Sequence, residues 1–330
     1  MKKALFIGGT GTISGACTRR ALEAGFEVTL LNRGSSPAPR GARQIVCDIS
    51  DEAAVRAKLT GEAAWFDVVA DFIAFRPEQA ERDVRLFSGA AGQYIFISSA
   101  SVYQKPAAYY LITESTPLSN PYWQYARDKI ACELTLMEAY RGSGFPVTIV
   151  RPSHTYNETK VPVAIHGKAG SWQVLRRILD GKPVLVPGDG LTWWTFTWSA
   201  DFAAGFVGLM GNPHALGEAV HITSDEKLTW NAAYQTLGRA LGREPLLAHV
   251  SVDTLKRFDP ALEGPLLGDK ANSVIFDNSK LKRLVPGFAA TTRYDEGARA
   301  AVEYLLAHEA LQNPDPEFDA FCDRVVSAVL

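Results

Sequence analysis

The segment Ala4-Leu5-Phe6-Ile7-Gly8-Gly9-Thr10-Gly11-Thr12-Ile13-Ser14-Gly15 limits the fold more than any other stretch. A short apolar run enters a glycine-rich turn, and a helical pattern follows with no spacer. Strand, turn and helix in that order leave backbone N–H groups exposed at a helix N-terminus, where a dinucleotide pyrophosphate can sit. Glycine is required because a Cβ would hold the phosphates off and because the turn calls for positive φ. Glycine clusters also make ordinary turns, so the motif takes its meaning from the strand before it and the helix after it. Gly8, Gly9, Thr10, Gly11, Thr12 and Ile13 are the expected cofactor contacts here.

The chain then alternates. The pattern predicts a helix over Ile13–Ala24 closed by Gly25, and strands over Glu27–Leu31, Gln44–Cys47, Phe66–Asp71, Tyr94–Ile97 and Pro146–Val150. The fourth of the six strands is expected to run on through Phe72-Ile73-Ala74, and Arg151-Pro152 to terminate the sixth. Helices are expected after Ser50, from Pro77, and over Trp123–Tyr140 with a stop at Gly142. Gln104–Pro121 reads as a proline-containing loop. Strands that are nearly continuously apolar and alternate with helices form parallel sheets covered on both faces.

From residue 153 the alternation weakens. Prolines and glycines surround one short helix, Trp172–Leu179. Thr195–Trp198 and Ala219–Ile222 read as strands, Ser199 as the cap of a helix to Met210, and Thr229–Leu241 as a helix ended by Gly242. A last amphipathic helix covers Tyr294–Leu306. The expectation is an α/β, Rossmann-type doubly wound parallel sheet with a smaller, partly interleaved C-terminal domain. Residues 1–152 would bind the dinucleotide, with 192–223 returning to that domain, while 153–191 and 224–330 would bind substrate.

The second strand ends in Asn32-Arg33, where NAD enzymes usually place a carboxylate for the ribose diol. A guanidinium suits a 2′-phosphate instead, so the pair reads as NADP, with NAD still admitted. Asp48 and Ile49 are placed at the adenine, and Phe72 and Ile73 further along the same groove. A formal net charge of −2 gives no electrostatic reason to expect nucleic acid or an anionic membrane as partner. Cys17, Cys47, Cys132 and Cys322 have neither C-x-x-C nor metal-ligand spacing, and no apolar run approaches a membrane span. A cytoplasmic location is expected.

Tyr125 and Lys129 lie four residues apart on the long predicted helix and so share one face. An ammonium beside a phenol favours the phenolate and would lower the tyrosine pKa from about 10. Such a tyrosine can take a proton from a hydroxyl or return one to a ketone. Ser99, at the end of the fifth strand, could orient the reacting oxygen. Tyr156 and Lys160 have the same spacing but lie between prolines, without a helical face to hold them. Tyr122 lacks the ammonium, its fourth neighbour being Ala126.

With these residues in hand, the chain resembles the extended short-chain dehydrogenases/reductases of the NAD-dependent epimerase/dehydratase family. Gly8, Gly11 and Ser14 stand on the family's Gly-x-x-Gly-x-x-Gly, with serine in the last place. Ser98-Ser99-Ala100-Ser101-Val102-Tyr103 is similar to its serine-rich strand end, and Tyr125-x-x-x-Lys129 to its catalytic pair. Arg151-Pro152, Pro187-Gly188-Asp189-Gly190, Trp198–Asp201 and Phe276-Asp277-Asn278-Ser279-Lys280 resemble further landmarks. The resemblance implies catalysis by Ser99, Tyr125 and Lys129, hydride transfer at a secondary alcohol or ketone of a sugar or sugar derivative, and a homodimer. His154 stands where sugar-nucleotide members carry an asparagine, which weakens a nucleotide-sugar substrate. Ser101, Tyr103, His154 and Trp193 are the candidate substrate contacts. A reductase or dehydrogenase of a non-nucleotide ketone is the alternative within this class, and a non-catalytic cofactor sensor the alternative outside it.

Overall fold

The computed structural model describes residues 1–60 and 64–329. Seven strands form its central sheet: β1 (Lys3–Ile7), β2 (Glu27–Asn32), β3 (Arg43–Val46), β4 (Val68–Asp71), β5 (Tyr94–Ile97), β6 (Val147–Pro152) and β7 (Ala219–Ile222). Their spatial order is β7-β6-β5-β4-β1-β2-β3, and every pairing is parallel. The order reverses between β1 and β4, which opens a crevice at their C-terminal ends. Side chains alternate across the sheet. Ala4, Phe6, Val68, Ala70, Ile95 and Ile97 face one apolar core, while Leu5, Ile7, Val69, Tyr94 and Phe96 face the other. Burial on both faces explains why the strands lack a polar alternation.

Helices α1 (Thr12–Glu23), α2 (Glu52–Lys58), α3 (Pro77–Phe87), α4 (Gln124–Ser143), α5 (Trp172–Leu179), α6 (Ser199–Leu209) and α7 (Trp230–Leu241) complete the main frame. α1 packs with α6 on one face and α3 with α4 on the other. A third apolar core gathers α5, α7 and the helices Tyr294–Ala307 and Pro316–Val329.

Several boundaries differ from expectation for identifiable reasons. β4 stops at Asp71 instead of running on through Ala74, because the Asp71 carboxylate accepts the Ile73 and Ala74 N–H groups and turns the chain. Asp51, not Ser50, caps α2 by accepting from Ala54 N–H. α4 continues past Gly142 to a left-handed Gly144, and Arg151-Pro152 lies inside β6. Ser199 is the first residue of α6, not its cap. Tyr294–Ala307 is not the last helix, since Pro316–Val329 follows it.

Four two-stranded pairs escaped the sequence pattern or exceeded it. They are His154–Tyr156 with Phe196–Trp198, Val184–Pro187 with Leu247–Val250, Trp193–Trp194 with Leu228–Thr229, and Leu111–Ile112 with Ile275–Phe276. Strands this short carry too little periodicity to be read, and their partners are distant in sequence. The last pair also gives the Gln104–Pro121 loop a strand of its own. Ser279–Leu284 returns to the sheet, placing Leu281 in the α1/α6 core.

Candidate active site

The glycine-rich turn has the geometry a dinucleotide needs. Gly8 and Gly9 have φ of +102° and +92°. A Cβ on Gly9 would stand 2.5 Å from the Leu30 side chain, and one on Gly8 3.1 Å from Ile73. Gly11 precedes α1, and its N–H is bonded to Ser14 Oγ at 2.8 Å. Serine in the family's third glycine place therefore ties the turn to the helix. Thr10 and Gly11 are exposed, Thr12 and Ile13 half-buried, and the Ile13 side chain packs on the core. What this turn offers a ligand is backbone, as the motif requires.

The rest of the groove departs from expectation in part. The Asn32 carboxamide donates to Gly8 O (3.1 Å) and accepts from Gly34 N–H (2.9 Å) and Gln44 (2.8 Å). It braces the turn, while Arg33 beside it is exposed. Asp48 is exposed, and hydrogen bonds from the Ser50 N–H and hydroxyl lower its pKa. Ile49 lies in the core and cannot offer its side chain to an adenine. The Phe72 ring likewise packs on Phe6 and Phe206. Ile73 keeps an exposed side chain.

α4 carries three inward residues one turn apart, Tyr125, Lys129 and Glu133, a spacing that puts them on one stripe. Lys129, 1% exposed, donates to Ala74 O (2.6 Å) and Ile97 O (2.7 Å). Its ammonium also lies over the Phe75 and Phe96 rings, 4.6 and 4.7 Å from their centroids. One N–H is left over, an ammonium having three. Burial lowers the Lys129 pKa to about 8. Asp71 acts on this lysine through its charge, which opposes the effect of burial, and by turning the segment that presents the Ala74 carbonyl.

Tyr125 is packed beside Trp123, with ring centroids 4.8 Å apart. The Ser99 hydroxyl lies beside its phenol and pulls the pKa down. Ser99 Oγ is also engaged by the Ser101 hydroxyl (2.9 Å) and N–H (3.2 Å). Burial outweighs it and raises the Tyr125 pKa. The expected phenolate is thus corrected: Lys129 spends its protons on carbonyls, 6.0 Å from the Tyr125 ring. Without ligand the phenol holds its proton.

Of the candidate substrate contacts, Ser101 is buried beside Ser99, and His154 opens the short strand His154–Tyr156. Its ring packs on Phe196 and Trp230, and burial drives its pKa well down, so it is neutral. Trp193 is 45% exposed. Tyr103 is turned away from solvent. It is fully buried, its hydroxyl bonded to His221 Nδ1 (3.0 Å) and its ring under Arg151. Tyr156 is core as well, packed on Trp198 and Tyr294, which removes the Tyr156/Lys160 pair. Sequence reasoning missed the carbonyls of Ala74 and Ile97, which hold the Lys129 ammonium and meet it only through the fold.

The lowered Lys129 pKa has a consequence for stability. In the unfolded chain this lysine titrates near 10.4, so between about 8 and 10 the unfolded state binds more protons than the folded one. From this group stability should rise with pH across that window and be lost again as pH falls through 8. Lys129→Met should abolish the rise, which urea midpoints at pH 7, 9 and 10 will reveal.

A model of the NAD dependent epimerase/dehydratase family matches residues 4–223. The chain is 26% identical over 292 residues to a 2'-dehydrokanamycin reductase of Streptomyces kanamyceticus, covering 87% of this chain and 80% of that one. Epimerase Mth375 of Methanothermobacter thermautotrophicus superposes with a TM-score of 0.76 at 16% identity, over 94% of each chain. UDP-glucuronic acid 4-epimerase of Bacillus cereus, solved with UDP-glucuronic acid and NAD, gives 0.72 at 18% identity, over 92% of this chain and 99% of its own.

Proposed function

The chain belongs to the NAD dependent epimerase/dehydratase family, and we propose that it transfers hydride at a secondary alcohol or ketone of a sugar or sugar derivative, with Tyr125 as general acid and base. The observation that carries this reading is the convergence of Tyr125, Lys129 and Ser99 at the C-terminal ends of the parallel strands. Gly8 to Ile13 would hold the pyrophosphate on backbone N–H groups, and Asn32 and Arg33 the adenosine end. A bound dinucleotide supplies the hydride donor or acceptor.

The chain's own groups then manage the proton. Ser99 orients the reacting oxygen toward the phenol, and Tyr125 donates its proton to that oxygen as the carbonyl is reduced. Lys129, fixed by Ala74 and Ile97, has one spare N–H that would hold a ribose hydroxyl of the dinucleotide. Elimination of water is disfavoured, because Ala100 and Ser101 supply no carboxylate beside Ser99.

Residues 1–152 and 192–223 serve the cofactor in this reading, and 153–191 with 224–330 the substrate. The four cysteines are free and buried, which suits a reducing compartment. The test is a panel of keto and hydroxy sugars followed by nicotinamide absorbance. Loss of cofactor on gel filtration indicates a reductase or dehydrogenase, and retention an epimerase.

NADP is the cofactor this reading favours. β2 itself ends in Asn32 and not in a carboxylate, and the exposed Arg33 guanidinium follows it, with the Asp48 carboxylate within reach of its charge. Arg33→Ala should raise KM for NADP about tenfold, the worth of one charge-assisted hydrogen bond, and affect NAD far less. A wild-type preference for NAD would refute this assignment.

A further inference from the structure

Two fully buried carboxyl groups, Asp71 at the end of β4 and Asp83 on α3, share a single guanidinium. Arg82 Nη2 lies 2.7 Å from Asp83 Oδ1 and 3.5 Å from Asp71 Oδ2. Arg82 Nε also donates to Asp83 Oδ1 (2.8 Å), and the Tyr94 hydroxyl donates to Asp83 Oδ2 (2.6 Å). Asp71 Oδ1 accepts from the Ile73 and Ala74 N–H groups, at 2.6 and 2.8 Å. Asp71 Oδ2, by contrast, is buried and has no hydrogen-bond donor among the described residues.

Were both carboxyl groups ionised, one guanidinium would leave an uncompensated negative charge in the core, and Asp71 Oδ2 would have no donor. Each is costly away from water. A single proton held between the two carboxyl groups removes both faults. Burial and the Asp71 charge push the Asp83 pKa well above the usual carboxylate range, which supports Asp83 as the holder. The neighbouring groups do not take the proton's place. From α4, Lys129 and Cys132 sense the Asp71 charge, but the Lys129 ammonium is committed to the Ala74 and Ile97 carbonyls. On α3, Arg85 senses Asp83 but is exposed and paired with Glu52, and Asp48 and Glu52 bring only further negative charge toward Arg82.

Resting on the role given to Lys129 above, we propose that Asp71 and Asp83 share one proton, donated by the Asp83 carboxyl to Asp71 Oδ2, and that this pair positions Lys129. The turn after Asp71 transmits the effect. It carries the Ala74 carbonyl that holds the Lys129 ammonium (2.6 Å), and it sets Ile73 against Gly8, whose Cβ would stand 3.1 Å away. The shared proton fastens this turn to α3. The charge remaining on Asp71 favours the Lys129 ammonium.

Infrared spectra of the protein at pH 7 should show a carboxylic-acid carbonyl band that disappears in Asp83→Asn and equally in Asp71→Asn. Each amide puts an N–H where the proton was and keeps a carbonyl for the existing donors. Should one variant not fold, the other still reports the band. Carbon NMR of protein isotope-labelled at lysine Cε reads Lys129 directly, its signal identified by loss in Lys129→Met. The Lys129 midpoint, about 8 in the wild type, should move to lower pH in Asp71→Asn, which removes a supporting charge, and stay in place in Asp83→Asn. A band that is absent from the wild type or survives the substitutions would overturn the proposal, as would a midpoint unmoved in Asp71→Asn or lowered alike in both variants. Failure of the catalytic reading is registered separately, by hydride transfer that is indifferent to Tyr125→Phe.

Discussion

Tyr125→Phe will lower kcat for hydride transfer by about 10²- to 10⁴-fold while the protein still folds and binds its dinucleotide. The ring stays, so its packing on Trp123 and Phe75 is kept. Only the hydroxyl beside Ser99 is lost, and with it the proton that must reach the reacting oxygen. Because the phenol's pKa is raised by burial, wild-type reduction should hold across neutral pH and fall only on the alkaline side. Ser99→Ala should cost less, since it removes orientation but leaves the proton source. Rates measured on a matched ketone, together with cofactor binding by fluorescence, separate a lost proton from a lost site. Unchanged kcat in Tyr125→Phe would dismiss the assignment.

Glu133→Ala will destabilise the fold by about 3–5 kcal/mol, the cost of leaving a buried charge without its partner. Glu133, one turn beyond Lys129, accepts from Ser98 Oγ (2.5 Å), Arg151 Nε (2.9 Å) and Arg151 Nη2 (2.5 Å). Both Glu133 and Arg151 are nearly sealed from solvent. The pair fastens α4 to the ends of β5 and β6, and Arg151 in turn lies over the Tyr103 ring, 4.9 Å from its centroid. Removing the carboxylate strands the guanidinium, so Glu133→Gln should lose nearly as much. Glu133→Leu combined with Arg151→Met should recover most of the loss, because two apolar groups carry no desolvation debt. Urea midpoints for the three variants decide the matter. Activity should fall only as far as the loosened α4 displaces Tyr125.

The legible part of the site was local. Gly8, Gly9 and Gly11 announced the turn because positive φ and the absence of a Cβ are properties of single residues. Tyr125 and Lys129 were legible because helical spacing alone puts them on one face. Glu133 continues the same stripe and could have been read from it, its partner Arg151 being a charged residue at the end of an apolar strand. The Ala74 and Ile97 carbonyls that hold Lys129 lie 55 and 32 positions from it in the chain, and no period links them.

The sequence by itself determined the parallel sheet, the cofactor turn and the active face of α4, since each depends on periodicities and backbone preferences held within a few residues. Tertiary structure alone decided what those side chains experience. It sent the rings of Phe72 and Tyr103 into the core and directed Lys129 to two carbonyls. The reason is physical: desolvation and charge pairing depend on which atoms surround a group, and here those atoms come from distant parts of the chain.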